Sequence, residues 1–258
     1  MTLYLKFLSI NLRCQMQYKM SFLLTSLGQF FVSFTAFLGI TFMFSRFSSV
    51  EGFTLQQVLL CFAVVLMAFS IAECFARGFD TFTMMISNGE FDRVLVRPRR
   101  EVFLILASKM DFTRVGRLIQ AIIVFFIAIP ASGVIWTPDK IITLILMITC
   151  GILIFFGLMM VYAAISFFTI EGIEFMNIFT DGAREFGSYP YSIYGQGILK
   201  FVTYIIPVAL FQYYPFLYLI GATGNRFYMF IPLIGLLFLI PCYGFWRFGL
   251  LKYKSTGS

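Results

Sequence analysis

Charged residues make up only 12% of this sequence, and their densest run lies between residues 87 and 100. Within it, Ser87 and Glu90 have the spacing of a helix capping box, and Pro98 cannot continue a helix past the residue before it. A short helix with an acidic start and a basic end is therefore predicted; the alternative is a solvated loop with one helical turn. The run reads Ser87-Asn88-Gly89-Glu90-Phe91-Asp92-Arg93-Val94-Leu95-Val96-Arg97-Pro98-Arg99-Arg100.

The side chains of this predicted helix indicate a docking surface. Phe91, Val94 and Leu95 recur at spacings of three and four, which places them on one face. Glu90 and Asp92 would lie at the positive end of the helix dipole. Such a helix could place its apolar face in a groove on another protein.

Catalytic chemistry is poorly supported by the rest of the chain. The sequence has no histidine, and its five cysteines contain no Cys-x-x-Cys pair, so zinc sites and disulfide frameworks are not expected. No Gly-x-x-x-x-Gly-Lys-Ser/Thr phosphate loop is present. Asp, Glu, Lys and Arg are absent near the midpoints of the apolar runs, where a proton or cation relay would need them. We expect neither an enzyme nor a cofactor or metal bound to this chain.

The composition is that of an integral membrane protein. Hydrophobic residues make up 60% of the chain, whereas soluble domains are about a quarter charged. Residues 1–20 are basic and half apolar, which predicts a helix in the membrane interface. Apolar runs of about 20 residues are long enough to cross a bilayer as helices. The predicted spans are 22–44, 55–72, 118–136, 141–168, 201–220 and 227–248, with a charged region at 77–117.

The basic residues predict the orientation of these spans. With six spans and the N-terminus inside, only Arg46, Lys140 and Arg226 of the 19 Lys and Arg residues lie outside. Basic residues concentrate on the cytoplasmic side of membrane proteins. Both termini and the 77–117 region are therefore expected to be cytoplasmic, and the positive charge does not indicate nucleic-acid binding.

The last third of the chain is expected to be irregular. The more polar stretch 169–197 is predicted to be an interfacial helix and turn. Prolines then interrupt both final apolar runs, and non-helical backbone within a membrane must be buried in protein or face water. The 207–232 segment is expected to enter from the outer side and turn back. The interrupting residues are Pro207, Pro215, Pro232 and Pro241.

Four stretches resemble one family. Gly89-Glu90-Phe91-Asp92-Arg93-Val94-Leu95-Val96-Arg97-Pro98 is similar to the signature of ABC-2 type exporter permeases, in their small six-span, viologen-export-like branch. Three other stretches are similar to that branch: Ser188-Tyr189-Pro190 with Ser192-Ile193-Tyr194, Ile206-Pro207 with Tyr213-Tyr214-Pro215, and Tyr253-Lys254-Ser255-Thr256-Gly257-Ser258. Arg99-Arg100 departs from the less charged pair expected after the proline.

The resemblance implies a single ABC-2 type transmembrane domain over residues 1–258. Its fold would be all-α, with an interfacial N-terminal helix, six spans, a cytoplasmic coupling helix between spans two and three, and re-entrant helices between spans five and six. The implied ATPase-coupling residues are Glu90, Phe91, Asp92, Arg93, Val94, Leu95, Arg97 and Pro98, and the implied gate residues are Pro207, Tyr213, Tyr214 and Pro215.

The resemblance also implies partners and a function. Such permeases form dimers, of one chain or of two paralogous chains, and bind two ABC ATPase subunits that hold ATP and Mg²⁺. We therefore expect a permease of the bacterial cytoplasmic membrane, surrounded by lipid, that exports an amphipathic or lipophilic compound. The alternative is a membrane scaffold that recruits or regulates an ATPase without transport.

Overall fold

The structure is a computed structural model that describes residues 2–169 and 177–255. Within these ranges the chain is helical, with one isolated bridge between Val50 and Phe53 and no strand. Short 3₁₀ helices occur at Phe112–Arg114, Tyr191–Tyr194, Arg226–Met229 and Leu236–Phe238. The α-helices are α1 Thr2–Met16, α2 Lys19–Arg46, α3 Leu55–Asp80, α4 Phe82–Ser87, α5 Phe91–Leu95, α6 Glu101–Ser108, α7 Val115–Ala131, α8 Pro138–Ile165, α9 Asn177–Gly187, α10 Gln196–Tyr204, α11 Val208–Phe211, α12 Tyr213–Leu219, α13 Ile231–Gly235 and α14 Leu239–Lys252.

In the described part of the chain, five helical segments are long and apolar enough to cross a membrane, which confirms the all-helical membrane class. A sixth span results only if α10 is joined to α11 and α12 across a bend of 90°. The five segments are Lys19–Arg46, Leu55–Ser87, Phe112–Ala131, Pro138–Ile165 and Ile231–Lys252.

Two of the helix boundaries that differ from the predicted spans have a local backbone cause. The third span ends at Ala131, not at residue 136, because the chain turns at Gly133, whose φ of +69° glycine adopts readily. Trp136 therefore lies in the connection. The fourth span begins at Pro138, three residues earlier than predicted, since proline has no backbone N–H and fits the first helical turn.

Helix α3 is the centre of the bundle. In its span, 83% of the most apolar window is buried, against 11% for α2. Its residues 58–69 are apolar on every side, as expected for a central helix. It begins with a capping box between Thr54 and Gln57 and continues after a single break into α4. At its far end a Cβ on Gly78 would lie 1.9 Å from the Ile105 carbonyl oxygen, so α6 packs directly on the α3 backbone.

An aromatic cluster joins the elements at the end of the bundle that carries α5. Phe82 lies 5.0 Å from Phe91 and 5.0 Å from Trp246, measured between ring centroids. Trp246 and Phe91 are both fully buried. The cluster connects α3, α4, α5, α14 and the segments that follow α8 and α14. Its members are Phe79, Phe82, Phe91, Phe167, Trp246 and Tyr253.

Helix α1 is attached to the segment that follows α6. The side chains of Asn11 and Gln15 form hydrogen bonds with backbone groups between Ala107 and Phe112. In one of these bonds, the Phe112 N–H donates to Gln15 Oε1 at 3.0 Å. These bonds satisfy backbone groups that no helix pairs. The predicted N-terminal helix is therefore present and fixed to the region that carries α5.

Short helices and breaks fill the last third of the chain, as predicted. Four prolines lie before or within the first three residues of these helices: Pro207 before α11, Pro215 in α12, Pro232 in α13 and Pro241 in α14.

Within the stretch 169–197, predicted to be an interfacial helix and turn, the structure has α9, Asn177–Gly187. This helix packs along α3, and a Cβ on Gly187 would lie 3.2 Å from the Val65 side chain. Glu171 and Glu174, the first two acids of that stretch, lie outside the described residues.

Candidate functional site

The start of α5 differs from the predicted capping box. Ser87 ends α4 instead of preceding α5, and its hydroxyl donates to the Met84 carbonyl oxygen. Gly89, at φ +68°, closes α4: its N–H bonds Ile86 O at 2.9 Å and the Glu90 N–H bonds Met85 O at 2.9 Å. This is the Schellman arrangement, which favours glycine at that position.

The predicted apolar face of α5 is split between the interior and the surface. Phe91 is fully buried in the aromatic cluster, and Val94 packs partly against the core. The expectation that both are exposed beside Leu95 is therefore wrong. Leu95 is 43% exposed and Val96 is 84% exposed, so these two residues are the exposed apolar part of the 87–100 run.

Four arginines surround Leu95 and Val96. Arg93, Arg97, Arg99 and Arg100 are all exposed, and none forms an ion pair with a described residue. Pro98 lies between them in the exposed turn that leads to α6. We call residues 93–100 the basic surface.

A cavity of about 270 Å³ opens beside the basic surface. Its polar lining comes from Glu90, Arg93, Arg97 and Ser108, and its apolar lining from α1, α4, α5 and α6. The apolar lining residues are Phe7, Met85, Val94 and Leu104. Charged groups over an apolar floor suit a partner side chain that is itself partly apolar.

A buried ion-pair cluster lies behind this region. Glu73 of α3 meets Arg117 Nη1 at 2.7 Å and Arg114 Nη2 at 3.0 Å, and Arg77 lies 3.7 Å away. Arg184 of α9 lies over the Phe69 ring, one turn before Glu73 in α3. The cluster fixes α3 to α7 and its preceding turn, since breaking a buried pair leaves an uncompensated charge.

Asp111 extends the cluster toward the end of the bundle. Burial alone would raise the pKa of its carboxyl, but hydrogen bonds from the Thr113 hydroxyl and the charge of Arg114 lower that pKa below its ordinary value. The Asp111 N–H also bonds the Cys74 carbonyl oxygen at 3.0 Å. Asp111 is therefore an ionised anchor between α3 and the turn before α7.

The four predicted gate residues lie close together. Pro207 precedes α11 at the 90° bend, while Tyr213, Tyr214 and the buried Pro215 form the first turn of α12. The Tyr214 hydroxyl is 3.3 Å from the Thr203 hydroxyl of α10. The gate residues therefore lie where three short helices meet.

Gln212 connects the segment between α11 and α12 to the end of α9, a role that the sequence did not indicate. Its Nε2 donates to Tyr189 O at 2.9 Å and to Gly187 O at 3.3 Å, and it also contacts Cys61 Sγ. Gln212 is completely buried, and it satisfies carbonyl groups where α9 has ended. The only sequence signal was an isolated polar residue in an apolar run.

Comparison with known proteins identifies a family for this chain. A family model described as ABC-2 family transporter protein matches residues 30–257, a range that includes the residues predicted for coupling and for the gate. No curated protein and no solved structure matches the chain. The family match covers most of the chain, including most of α2 and every later helix. The chain is therefore a multi-pass membrane protein that belongs to the ABC-2 family of transporter proteins.

Proposed function

We propose that this permease is the transmembrane subunit of an ABC exporter in the bacterial cytoplasmic membrane, with both termini cytoplasmic. It moves an amphipathic or lipophilic compound, such as a drug, a peptide antibiotic or a lipid, outward. ATP and Mg²⁺ bind to two separate ATPase subunits. Family membership supports the transport role. The observation that supports ATPase coupling is the basic surface, which is exposed and begins in α5. The first residue of α5, Phe91, is buried in the aromatic cluster.

The basic surface favours an acidic groove with an apolar floor. Four exposed arginines would attract such a groove and orient it. Val96 and the exposed 43% of Leu95 would lose their contact with water, and for Leu95 this contributes about 1–2 kcal/mol. Association of this kind weakens as salt screens the surface charges.

The aromatic cluster provides the route from the ATPase to the spans. A displacement of α5 moves Phe91, and Phe91 contacts the rings of Phe82, Phe167 and Tyr253. Close-packed interiors transmit displacement because they have little free volume. ATP-driven movement of α5 would thus be transmitted to α3, α4 and α14. The transport path would then open in turn to the two sides of the membrane. The broken helices α9–α12, held by Gln212, would gate that path near its outer end.

A second permease, identical or paralogous, completes the transporter. The outward faces of α2 and of the Ile231–Lys252 segment support this, because only 11% and 22% of their apolar windows are buried. In a membrane such surfaces contact lipid or another subunit.

The test is co-purification of the ATPase with Leu95→Asp, normalised to permease in the membrane. The substitution places a carboxylate in the proposed contact, where desolvation without a partner is costly. We expect the membrane level to stay normal and the ATPase to be lost. Ile135→Asp is the matched control, because Ile135 is 79% exposed in the connection between α7 and α8 and would lie on the outer side.

Three other outcomes contradict parts of the proposal. If Leu95→Asp keeps its ATPase in full, the basic surface is not the contact. If the co-purified protein lacks a phosphate loop, the chain is a scaffold for some other protein. If an ATPase binds but no compound moves when ATP is hydrolysed, the chain recruits an ATPase without transport.

A further inference from the structure

The segment after α14 returns to α5 and contacts its first two residues. Helix α14 ends at Lys252, and Tyr253 then adopts ψ 131°, which takes the chain out of the helix. The Tyr253 ring packs 5.1 Å from Phe91 and 5.8 Å from Phe167. The tail, residues 253–255, therefore covers the inner side of α5.

Hydroxyl groups of this tail bind the one carboxylate inside α5. The Tyr253 hydroxyl donates to Asp92 Oδ1 at 3.1 Å, and the Ser255 hydroxyl donates to Asp92 Oδ2. Both oxygens of the carboxylate are thus held by residues more than 160 positions away. Hydrogen bonds to an ionised acceptor are stronger than those between neutral groups.

Helix α5 needs such external contacts. It has only five residues, and isolated helices shorter than about 12 residues are marginal in water. Its orientation must come from tertiary contacts, and two side chains at its start supply them. Phe91 fixes its depth in the aromatic cluster, whereas Asp92 resists rotation about the helix axis.

We propose that the tail is part of the coupling site and that Tyr253 and Ser255 are positioning residues. Through Asp92 they hold α5 in register with α14, so that movement of either helix is passed to the other. The inference about α5 orientation stands on these contacts alone. Its consequence for ATP hydrolysis rests on the proposed function.

The first arm of the test measures amide hydrogen exchange in the full-length permease without an ATPase. In Tyr253→Phe/Ser255→Ala, which keeps the aromatic ring and removes both hydrogen bonds to Asp92, we expect residues 91–97 to exchange at least about tenfold faster, since the loss of even one hydrogen bond to a charged group corresponds to that factor. Exchange in α3 should not change. Asp92→Asn should stay near the wild type, because an amide can accept from Tyr253 and donate to Ser255.

A double-mutant cycle separates this contact from general loosening. Asp92→Ala should accelerate exchange as much as the hydroxyl variant, and the triple variant should show no further increase, because all three remove the same contact. Additive effects, or unchanged exchange in Tyr253→Phe/Ser255→Ala, would overturn the proposed orientation.

The second arm measures ATP hydrolysis by the complete transporter. The hydroxyl variant should retain its ATPase but hydrolyse ATP about tenfold more slowly, in proportion to the loss of α5 order. Asp92→Asn, which can keep both hydrogen bonds to the tail, should hydrolyse ATP faster than the hydroxyl variant. Faster exchange with normal hydrolysis would show that the tail holds α5 without a coupling role. If the wild-type permease binds no ATPase, the proposed function fails, and the exchange arm still decides whether the tail orients α5.

Discussion

Replacing Glu73 by glutamine should destabilise the permease strongly, although the two side chains have nearly the same size. Glu73 is 7% exposed, and its partners Arg114 and Arg117 are each 8% exposed. The amide keeps a hydrogen-bond acceptor but removes the carboxylate that both arginines share. Breaking a buried pair costs about 3–5 kcal/mol, and because one acceptor remains we expect a loss near 3 kcal/mol.

The assay is reversible unfolding in mixed micelles, followed by the fluorescence of the buried Trp246. Glu101→Gln is the matched control, because its ion pair with Arg247 is longer, 3.6 Å, and the arginine side chain is 51% exposed. A pair of that kind contributes at most about 1 kcal/mol. Glu73→Gln/Arg117→Gln should lose less than the sum of the single losses. Equal losses in Glu73→Gln and Glu101→Gln would refute the reasoning.

Three further predictions concern orientation, the broken helices and pH. In a cysteine-free background, a cysteine at Lys140 should react with an impermeant thiol reagent from outside the cell and one at Arg99 should not; the reverse pattern would invert the proposed topology. Gln212→Leu should lower the free energy of unfolding by about 1–3 kcal/mol, because it leaves carbonyl groups unsatisfied, and unchanged stability would mean that they find other donors. The lowered pKa of Asp111 means that its stabilisation is full above its unfolded pKa of about 3.9 and disappears as pH falls through the folded value. The stability difference between wild type and Asp111→Asn should therefore stay constant from about pH 7 to 5 and shrink below about pH 4; a difference that disappears by pH 6 would contradict the lowered pKa.

The spans were predictable because hydrophobicity over about 20 residues is a strong local signal. The ends of the spans were less predictable, because Gly133 and Pro138 set them through backbone conformation, which a hydropathy profile does not describe. At α5 two local signals competed: Ser87 and Glu90 matched a capping box, but Gly89 between them ends the preceding helix. Glycine at positive φ is the stronger constraint there.

The burial of Phe91 could not be predicted from helical periodicity. The rings that cover it come from α4, from the segment after α8 and from the tail. In the same way, Glu73 and Arg117 are 44 residues apart, and Gln212 binds carbonyl groups 23 and 25 residues before it. These contacts depend on tertiary packing, so the sequence indicated the residue types without their partners.

The most direct test of the proposed coupling is site-specific photo-cross-linking from position 95 in living cells. A photoreactive phenylalanine analogue at Leu95 should cross-link to a protein whose sequence contains a phosphate loop, identified by mass spectrometry, and the same analogue at Ile135 should not. Loss of the adduct in a strain that lacks that ATPase would confirm the contact. If the adducts at Leu95 contain only lipid or no protein with a phosphate loop, the basic surface does not bind an ATPase.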